Sequence, residues 1–425
     1  MTDRRPLLRA IFEAAVARAH PDHVLATHLP PPPAGRIVCL AAGKGAAALA
    51  AAAERHYLDT LHLPPQRLTG LATTRHGHAV ATRRIEVIEA GHPVPDAASQ
   101  NAAERTLQFA RQAQRDDLVL VLLSGGGSAN WIAPAEGVSL AQKQGINRAL
   151  LRSGANIGAM NAVRKHLSRI KGGRLAREAQ PAPVVTLAIS DVPDDDPAVI
   201  ASGPTVPDPT TLTDAREVLA RFAIVPDEAI AKALNDPSNE SCKATDAFFA
   251  NTHFALIARP RDSLTAAVGV ARNAGFETID LGECEGEARE VATAHAQFVR
   301  DARAKGRRVA IVSGGELTVT VRGRGRGGPN QEYVLALASG LRDLEGVSAL
   351  AADTDGADGG GGDASDPAGA FFDHATLRQM QRLGLDPDAY LAENDATGFF
   401  EQTGDLLTTG PTLTNVNDIR VILVE

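Results

Sequence analysis

Lys44 stands between two glycines in the run Ile37-Val-Cys-Leu-Ala-Ala-Gly43-Lys44-Gly45-Ala46. An apolar strand that runs into glycines and then into an alanine-rich helix aims backbone N–H groups at an anion. A lysine held at that strand end can meet a phosphate. The letters also satisfy the G-x-G-x-x-A dinucleotide fingerprint. Against it, the middle residue is Lys44, and no acidic residue closes a second strand about twenty positions on. The P-loop pattern fails too, because Gly45 stands where Ser or Thr is needed. Ser124, Gly125, Gly126, Gly127 and Ser128 follow another apolar strand. Three consecutive glycines let the backbone approach a ligand and form an anion-binding nest.

Other stretches add charge. Asn161, Arg164 and Lys165 begin a basic run that extends to Arg174. Helical spacing puts Asn161, Lys165 and Arg169 near one face and Arg164 beside Ser168. Such a cluster grips a carboxylate or a phosphate, or is a solvated face near a helix end closed by Gly172 and Gly173. Asp191 ends a strand, and Asp194, Asp195 and Asp196 follow it. These acids repel one another, which favours a cation such as Mg²⁺, held by one or two carboxylates with water and phosphate. Gly314, Gly315 and Glu316 echo the first serine-glycine loop. Arg322, Arg324 and Arg326 then alternate with glycines ahead of Pro329 and Asn330, where a helix opens. Arginines pair bidentately with phosphates. The Asp353–Asp358 stretch lacks EF-hand spacing, and the His76-x-His78 pair has no evident third ligand.

These loops need a scaffold. Valine- and leucine-rich runs at Ile37–Ala42, Leu118–Leu123, Val184–Ile189, His253–Ala258, Val309–Val312, Val347–Ala352 and Ile419–Val424 alternate with helical periodicity. Near-continuous apolar strands separated by helices predict two Rossmann-like α/β domains with mostly parallel sheets. Ligands of such sheets bind at the carboxyl ends of the strands. The polar cluster Pro237–Glu240 predicts a boundary, dividing the chain into an N-terminal domain over 1–245 and a C-terminal domain over 246–425.

Composition narrows the function. The 425 residues carry a net charge of −8 with 44% hydrophobic and 4% aromatic residues. That balance lacks the electrostatic footprint of a nucleic-acid binder. Three scattered cysteines rule out a disulfide framework and fit a reducing cytoplasm. The N-terminal segment reads as an amphipathic helix rather than a signal peptide, since Arg9, Glu13 and Arg18 interrupt its apolar run. Glycines and Pro134 break the one long uncharged stretch, so no membrane span is expected. Glycine-rich strand ends, one lysine, several arginines and several aspartates together match phosphoryl transfer, which proceeds by positioning and charge neutralisation.

The chain resembles the class II glycerate kinases (glycerate 2-kinases), whose C-terminal part is the MOFRL domain. The likeness runs through AAGKGA at Ala41–Ala46, GHPVPD at Gly91–Asp96, LSGGGSA at Leu123–Ala129 and NAVRKHLSRIKGGRLA at Asn161–Ala176. It continues through SDVPDDDP at Ser190–Pro197, SGGELTVTVRGRGRGGPNQE at Ser313–Glu332, DTDGADG at Asp353–Gly359 and TGPTLTNVNDI at Thr409–Ile419. It implies a two-domain enzyme with an interdomain active-site cleft. ATP would phosphorylate the 2-hydroxyl of D-glycerate with Mg²⁺ or another divalent cation. Lys44 would lie near the transferred phosphoryl, and Asp191 would touch the metal or the acceptor hydroxyl. Arg164, Lys165 and Asn161 would bind glycerate. Ser124–Ser128, Gly314, Gly315, Glu316 and Asn330 would line the nucleotide. Many relatives have glycine at the position of Asp194 and arginine at that of Pro329; if that arginine stabilises the transition state, Arg324 or Arg326 substitutes for it here, or this member works differently. A homodimer is the expected assembly. The alternatives are a nicotinamide-dependent hydroxypyruvate reductase and a non-catalytic sugar-acid or nucleotide sensor.

Overall fold

The structure is a computed structural model that describes residues 3–360 and 365–425. The chain divides into two units, one over Val24–Ile257 and the other over Ala258–Glu425 joined by the N-terminal segment up to His23. The junction at Ile257/Ala258 lies twelve residues beyond the 245/246 boundary expected from the sequence.

The first unit is built on six strands: β1 (Ile37–Ala42), β2 (Leu68–Arg75), β3 (Ile85–Ala90), β4 (Leu118–Leu123), β5 (Val184–Ile189) and β6 (Thr252–Ala258). They lie in the order β3-β2-β1-β4-β5-β6. β1 pairs in parallel with both β2 and β4, and β3 and β5 extend the parallel ladder outward. β1 and β4 are buried along their whole length, which is why they carry no polar residue. Val38, Leu40, Val121 and Leu123 pack with Leu107, Trp131 and Leu175 from the covering segments. Capping boxes at Asp96 and Ser139 start the helices Ala97–Arg111 and Leu140–Arg152. From β1 the chain winds outward to β3, then crosses back to β4 on the other side of β1. Open α/β sheets bind ligands beyond the carboxyl ends of the strands at which the order reverses in this way, here β1 and β4.

The second unit corrects the expectation of a mostly parallel sheet. Its strands are β7 (Glu277–Glu283), β9 (Val309–Gly314), β11 (Val347–Asp353), β12 (Gly369–Phe372), β13 (Leu406–Leu407) and β14 (Asp418–Val424), in the order β13-β12-β11-β14-β9-β7. A two-stranded ribbon of β8 (Gly286–Glu287) and β10 (Leu317–Thr318) stands apart from it. Among the described residues only β7 and β9 pair in parallel in this sheet; β14 runs antiparallel to both β9 and β11, and β12 antiparallel to β11 and β13. The β9–helix–β11 crossover that the sequence alternation predicts is present, but the last strand slots between its two members. The strands still read as continuous apolar runs because both faces are covered. Val309, Ile311, Ile422 and Val424 face one core, with Leu337 and Phe399. Ala310, Val312, Val421 and Leu423 face the other, where the N-terminal helix buries Leu8, Ile11 and Phe12. That burial is what draws the first helix into the C-terminal unit.

Candidate active site at the β1 and β4 strand ends

The loops after β1 and β4 are locked to each other by short backbone bonds. Ser124 N–H donates to the Ala42 carbonyl at 3.0 Å, and Lys44 N–H donates to the Gly125 carbonyl at 2.7 Å. Gly45 N–H donates to Ser124 Oγ at 2.9 Å. On the other side, Thr74 Oγ1 at the end of β2 donates to the Lys44 carbonyl at 3.1 Å. Both main-chain polar groups of Lys44 are thus clamped, which sets where its side chain departs. Gly126 has φ +85, and a β-carbon there would lie 3.3 Å from Lys44 Cγ and 2.9 Å from His92 Cδ2. Lys44 and the imidazole of His92 therefore flank the glycine loop. Only glycine leaves that loop both left-handed and open to its neighbours.

Asp191 leaves the sheet next to this loop. Leu123 pairs with Ala188, so Asp191 stands three residues past the last ladder pair on β5 just as Gly126 does on β4. It is half-buried, whereas Asp194 and Asp196 are exposed. Asp194 and Asp195 adopt left-handed φ of 59 and 54. On the far side of the loop, Ser128 Oγ and Ser202 Oγ share a hydrogen bond of 2.8 Å, and Lys171 Nζ donates to the Ser128 carbonyl at 2.8 Å. Asn130 is wholly buried, and neither its amide nitrogen nor its oxygen has a hydrogen-bond partner among the described residues. Buried polar groups ordinarily find a partner, so such a residue beside the loop leaves room for a ligand or water.

The basic cluster is arranged differently from the helical projection. The helix Ile157–His166 stops before Ser168, which makes a bridge to Pro134. Arg169 consequently leaves the Asn161–Lys165 face: its Nε donates to the Pro134 carbonyl at 2.8 Å, and its guanidinium pairs with Glu104. Burial of Leu167 and Ile170 turns the chain there. Lys165 is buried and pairs with Asp208 at 3.2 Å. Burial pushes Asp208 up, but Lys165 and Thr210 outweigh it and hold the carboxyl below its ordinary value. Arg164 is half-buried with Nε 3.4 Å from Asn147 Oδ1, and burial lowers its pKa. Asn161 is buried in the same helix. Of these three, Arg164 retains solvent exposure.

The remaining candidates belong to the C-terminal unit. The Gly314 carbonyl accepts from Cys284 N–H at 2.8 Å and from Arg420. Asn330 is buried; its Nδ2 reaches Asp418 at 2.6 Å and Asp358 at 3.1 Å, while its Oδ1 has no hydrogen-bond partner among the described residues. Burial, and then the Asp418 charge, push the Asp358 carboxyl up to about 7. Glu316 is exposed. The arginine-glycine loop is pinned by its backbone, with Arg322 and Gly323 N–H on Asn394 Oδ1 and Arg326 N–H on Asp395 Oδ1. Arg326 pairs with Glu401 at 2.5 Å. Arg324 is exposed and makes no ion pair among the described residues, so its guanidinium is available to an anion. His92, Asn130 and Lys171 were given no site role by the sequence, although Lys171 lies within its basic run. Their signals were the histidine of GHPVPD and the lysine of KGG, which spacing alone does not tie to a loop dozens of residues away.

The family described as "Domain of unknown function (DUF4147)" matches residues 7–235, and the MOFRL family matches residues 309–418. The D-glycerate 2-kinase of Thermotoga maritima is 37% identical, with 97% of this chain and 97% of the relative covered. The chain belongs to the glycerate 2-kinase family. As a member of the glycerate 2-kinases it is an enzyme of the phosphotransferase kind. The glycerate 2-kinase of Pyrococcus horikoshii is 39% identical over 92% of this chain and 88% of its own. A protein of Agrobacterium vitis that bears the provisional name hydroxypyruvate reductase is 47% identical over 99% of this chain and 94% of its own. The crystal structure of glycerate kinase from Thermotoga maritima superposes with a TM-score of 0.85 at 36% identity, covering 99% of each chain.

Among the described residues no group of three or more His, Cys, Asp or Glu side chains is placed to hold a metal ion. The donor set at the β5 end, with Asp191 foremost, fits a cation that arrives with a nucleotide, because Mg²⁺ commonly takes one or two carboxylates plus phosphate and water. No helix of the described residues is long and apolar enough to cross a membrane.

Proposed function

We propose that the enzyme transfers the γ-phosphoryl of ATP to the 2-hydroxyl of D-glycerate, giving 2-phosphoglycerate and ADP. The glycerate 2-kinase relatives support this reading, and the observation that carries it is the clamped Lys44 over the Gly125–Gly127 loop. In this mechanism the glycerate hydroxyl oxygen bonds to the γ-phosphorus as the bond to the bridging oxygen of ADP breaks. The backbone of Ser124–Ser128 holds phosphate oxygens, and Lys44 meets the charge on the moving phosphoryl. Arg324, exposed in the C-terminal unit, is the arginine candidate for a phosphate charge. Arg164 binds the glycerate carboxylate, with Lys165 and Asn161 behind it. Asp191 receives the hydroxyl proton or holds the cation. A divalent cation bound with the nucleotide supplies charge neutralisation on the phosphates. Gly314, Gly315, Glu316 and Asn330 remain candidates for nucleotide contact.

The test is an assay with ATP, Mg²⁺ and D-glycerate, followed by phosphorus NMR of the product. ADP release with phosphorus on the 2-oxygen is expected; no phosphorylated product overturns the reading. The Agrobacterium name and the glycine spacing favour a second reading, a reductase. β2, which pairs with β1, ends not in an acid but in Thr73, Thr74 and a buried Arg75. The acid that binds the ribose of NAD is therefore missing there, while an arginine suits the 2′-phosphate of NADP. Hydroxypyruvate is accordingly offered with NADH and with NADPH, and neither should be oxidised. Asp191→Asn should raise the Mg²⁺ concentration giving half-maximal rate by about 10-fold or more, the scale on which disturbed metal sites lose affinity. An unchanged Mg²⁺ titration counts against the role given to Asp191.

A further inference from the structure

Lys171 is only 3% exposed, yet its ammonium makes a single hydrogen bond, the one to the Ser128 carbonyl at the end of the glycine loop. An ammonium has three N–H donors, so two are unspent among the described residues. The groups around it are nearly all cations. Lys143 comes from the helix Leu140–Arg152, Arg164 and Lys165 from Ile157–His166, and Arg174 from Arg174–Glu178. Lys143 and Arg174 are buried and each donates to two or more backbone carbonyls. Asp208 faces this group but is taken by Lys165 and Thr210, and Glu240 is taken by His166 and Lys243. The turn after Lys171 is laced to the Ser202–Gly203 segment, with Gly172 N–H on the Ser202 carbonyl at 3.1 Å. The β4 loop thus rests on a buried positive group with no carboxylate assigned to it.

We propose that Lys171 is a positioning residue for a phosphate on the Ser124–Ser128 loop, holding the loop through Ser128 and taking up a proton when the anion arrives. The inference rests on the reading of that loop as a phosphate site. Burial, and then the charges of Arg164 and Lys165, push the Lys171 ammonium down to about 7. A neutral amine still has an N–H for Ser128, so the loop keeps its shape while the charge behind it changes. A neighbouring anion favours the charged form, and by linkage its binding draws a proton from solution.

The experiment is calorimetric titration of the full-length protein with ADP at pH 8, without metal, in two buffers of different ionisation enthalpy. The wild type should take up about 0.5–0.9 proton, and much less at pH 6, where the lysine is already charged. Lys171→Arg keeps a permanent charge, so it should bind ADP within about 10-fold of wild type with almost no uptake. Lys171→Met should bind about 10-fold or more weakly, as loss of a charge-assisted contact predicts. ADP binding by the wild type without proton uptake overturns the inference and leaves the phosphate reading standing; this measurement needs no variant to fold. Uptake that persists in Lys171→Arg also overturns it. Failure of the wild type to bind ADP overturns the phosphate reading itself, and the inference with it.

Discussion

Lys44→Ala should lower kcat with ATP and D-glycerate by about 10²-fold or more, the scale on which losing one preorganised group at a developing charge acts. The side chain alone is removed. The bonds that shape the loop come from the Lys44 N–H to Gly125 and from Thr74 to the Lys44 carbonyl, and alanine keeps both. The circular dichroism spectrum and the unfolding midpoint should therefore stay near wild type. If the ammonium meets charge that grows on the phosphoryl as it moves, the loss falls on kcat and little on the KM for D-glycerate. Turnover close to wild type would falsify the role. A rise in KM with unchanged kcat would reassign Lys44 to ground-state binding.

Gly43→Ala should cost stability as well as activity. Gly43 has φ +120, and a β-carbon there would stand 2.3 Å from the Ser124 carbonyl oxygen and 2.4 Å from Ser124 Oγ. One of those contacts is backbone, so relief requires the β4 loop to move away from β1. That motion breaks the Gly45 to Ser124 bond and unseats Lys44. Backbone strain and overpacking together cost on the order of 2–4 kcal/mol. Urea unfolding would show a lowered midpoint with the slope retained, and kcat would fall with it. Gly137→Ala is the internal control. Gly137 has φ +76 with nothing within 4 Å of its β-carbon position, so it should lose only the left-handed penalty of about 1–2 kcal/mol. Equal losses in the two variants would mean that packing at the β1–β4 junction does not decide the effect.

The candidate loops were legible in the sequence where they follow a strand buried along its length. β1 and β4 were readable because strands covered on both faces carry unbroken apolar runs, and β5 departs from that only at Thr186, whose hydroxyl shares a hydrogen bond with Thr205. β2 was not readable: Thr73, Thr74 and Arg75 are buried in its last turns, and Thr73 takes a hydrogen bond from Trp131 Nε1 at 3.2 Å. Their polar side chains look like loop until partners elsewhere in the chain satisfy them. The helix carrying Arg164 was readable from its period, but its end was not. Ser168 and Arg169 are drawn off by Pro134 and Glu104, contacts that no local spacing encodes.

By itself, then, the amino-acid order determined the α/β class, the glycine loops and the family motifs, because local apolar pattern and turn chemistry act over a few residues. Tertiary structure alone decided that β14 slips between β9 and β11, that the first helix belongs with the last strands, and that His92 and Lys171 reach the loop after β4. Each of these depends on which buried surfaces find each other across tens to hundreds of residues. The free energy of that match comes from burial and from satisfied polar groups in the assembled core, which no short stretch of chain contains.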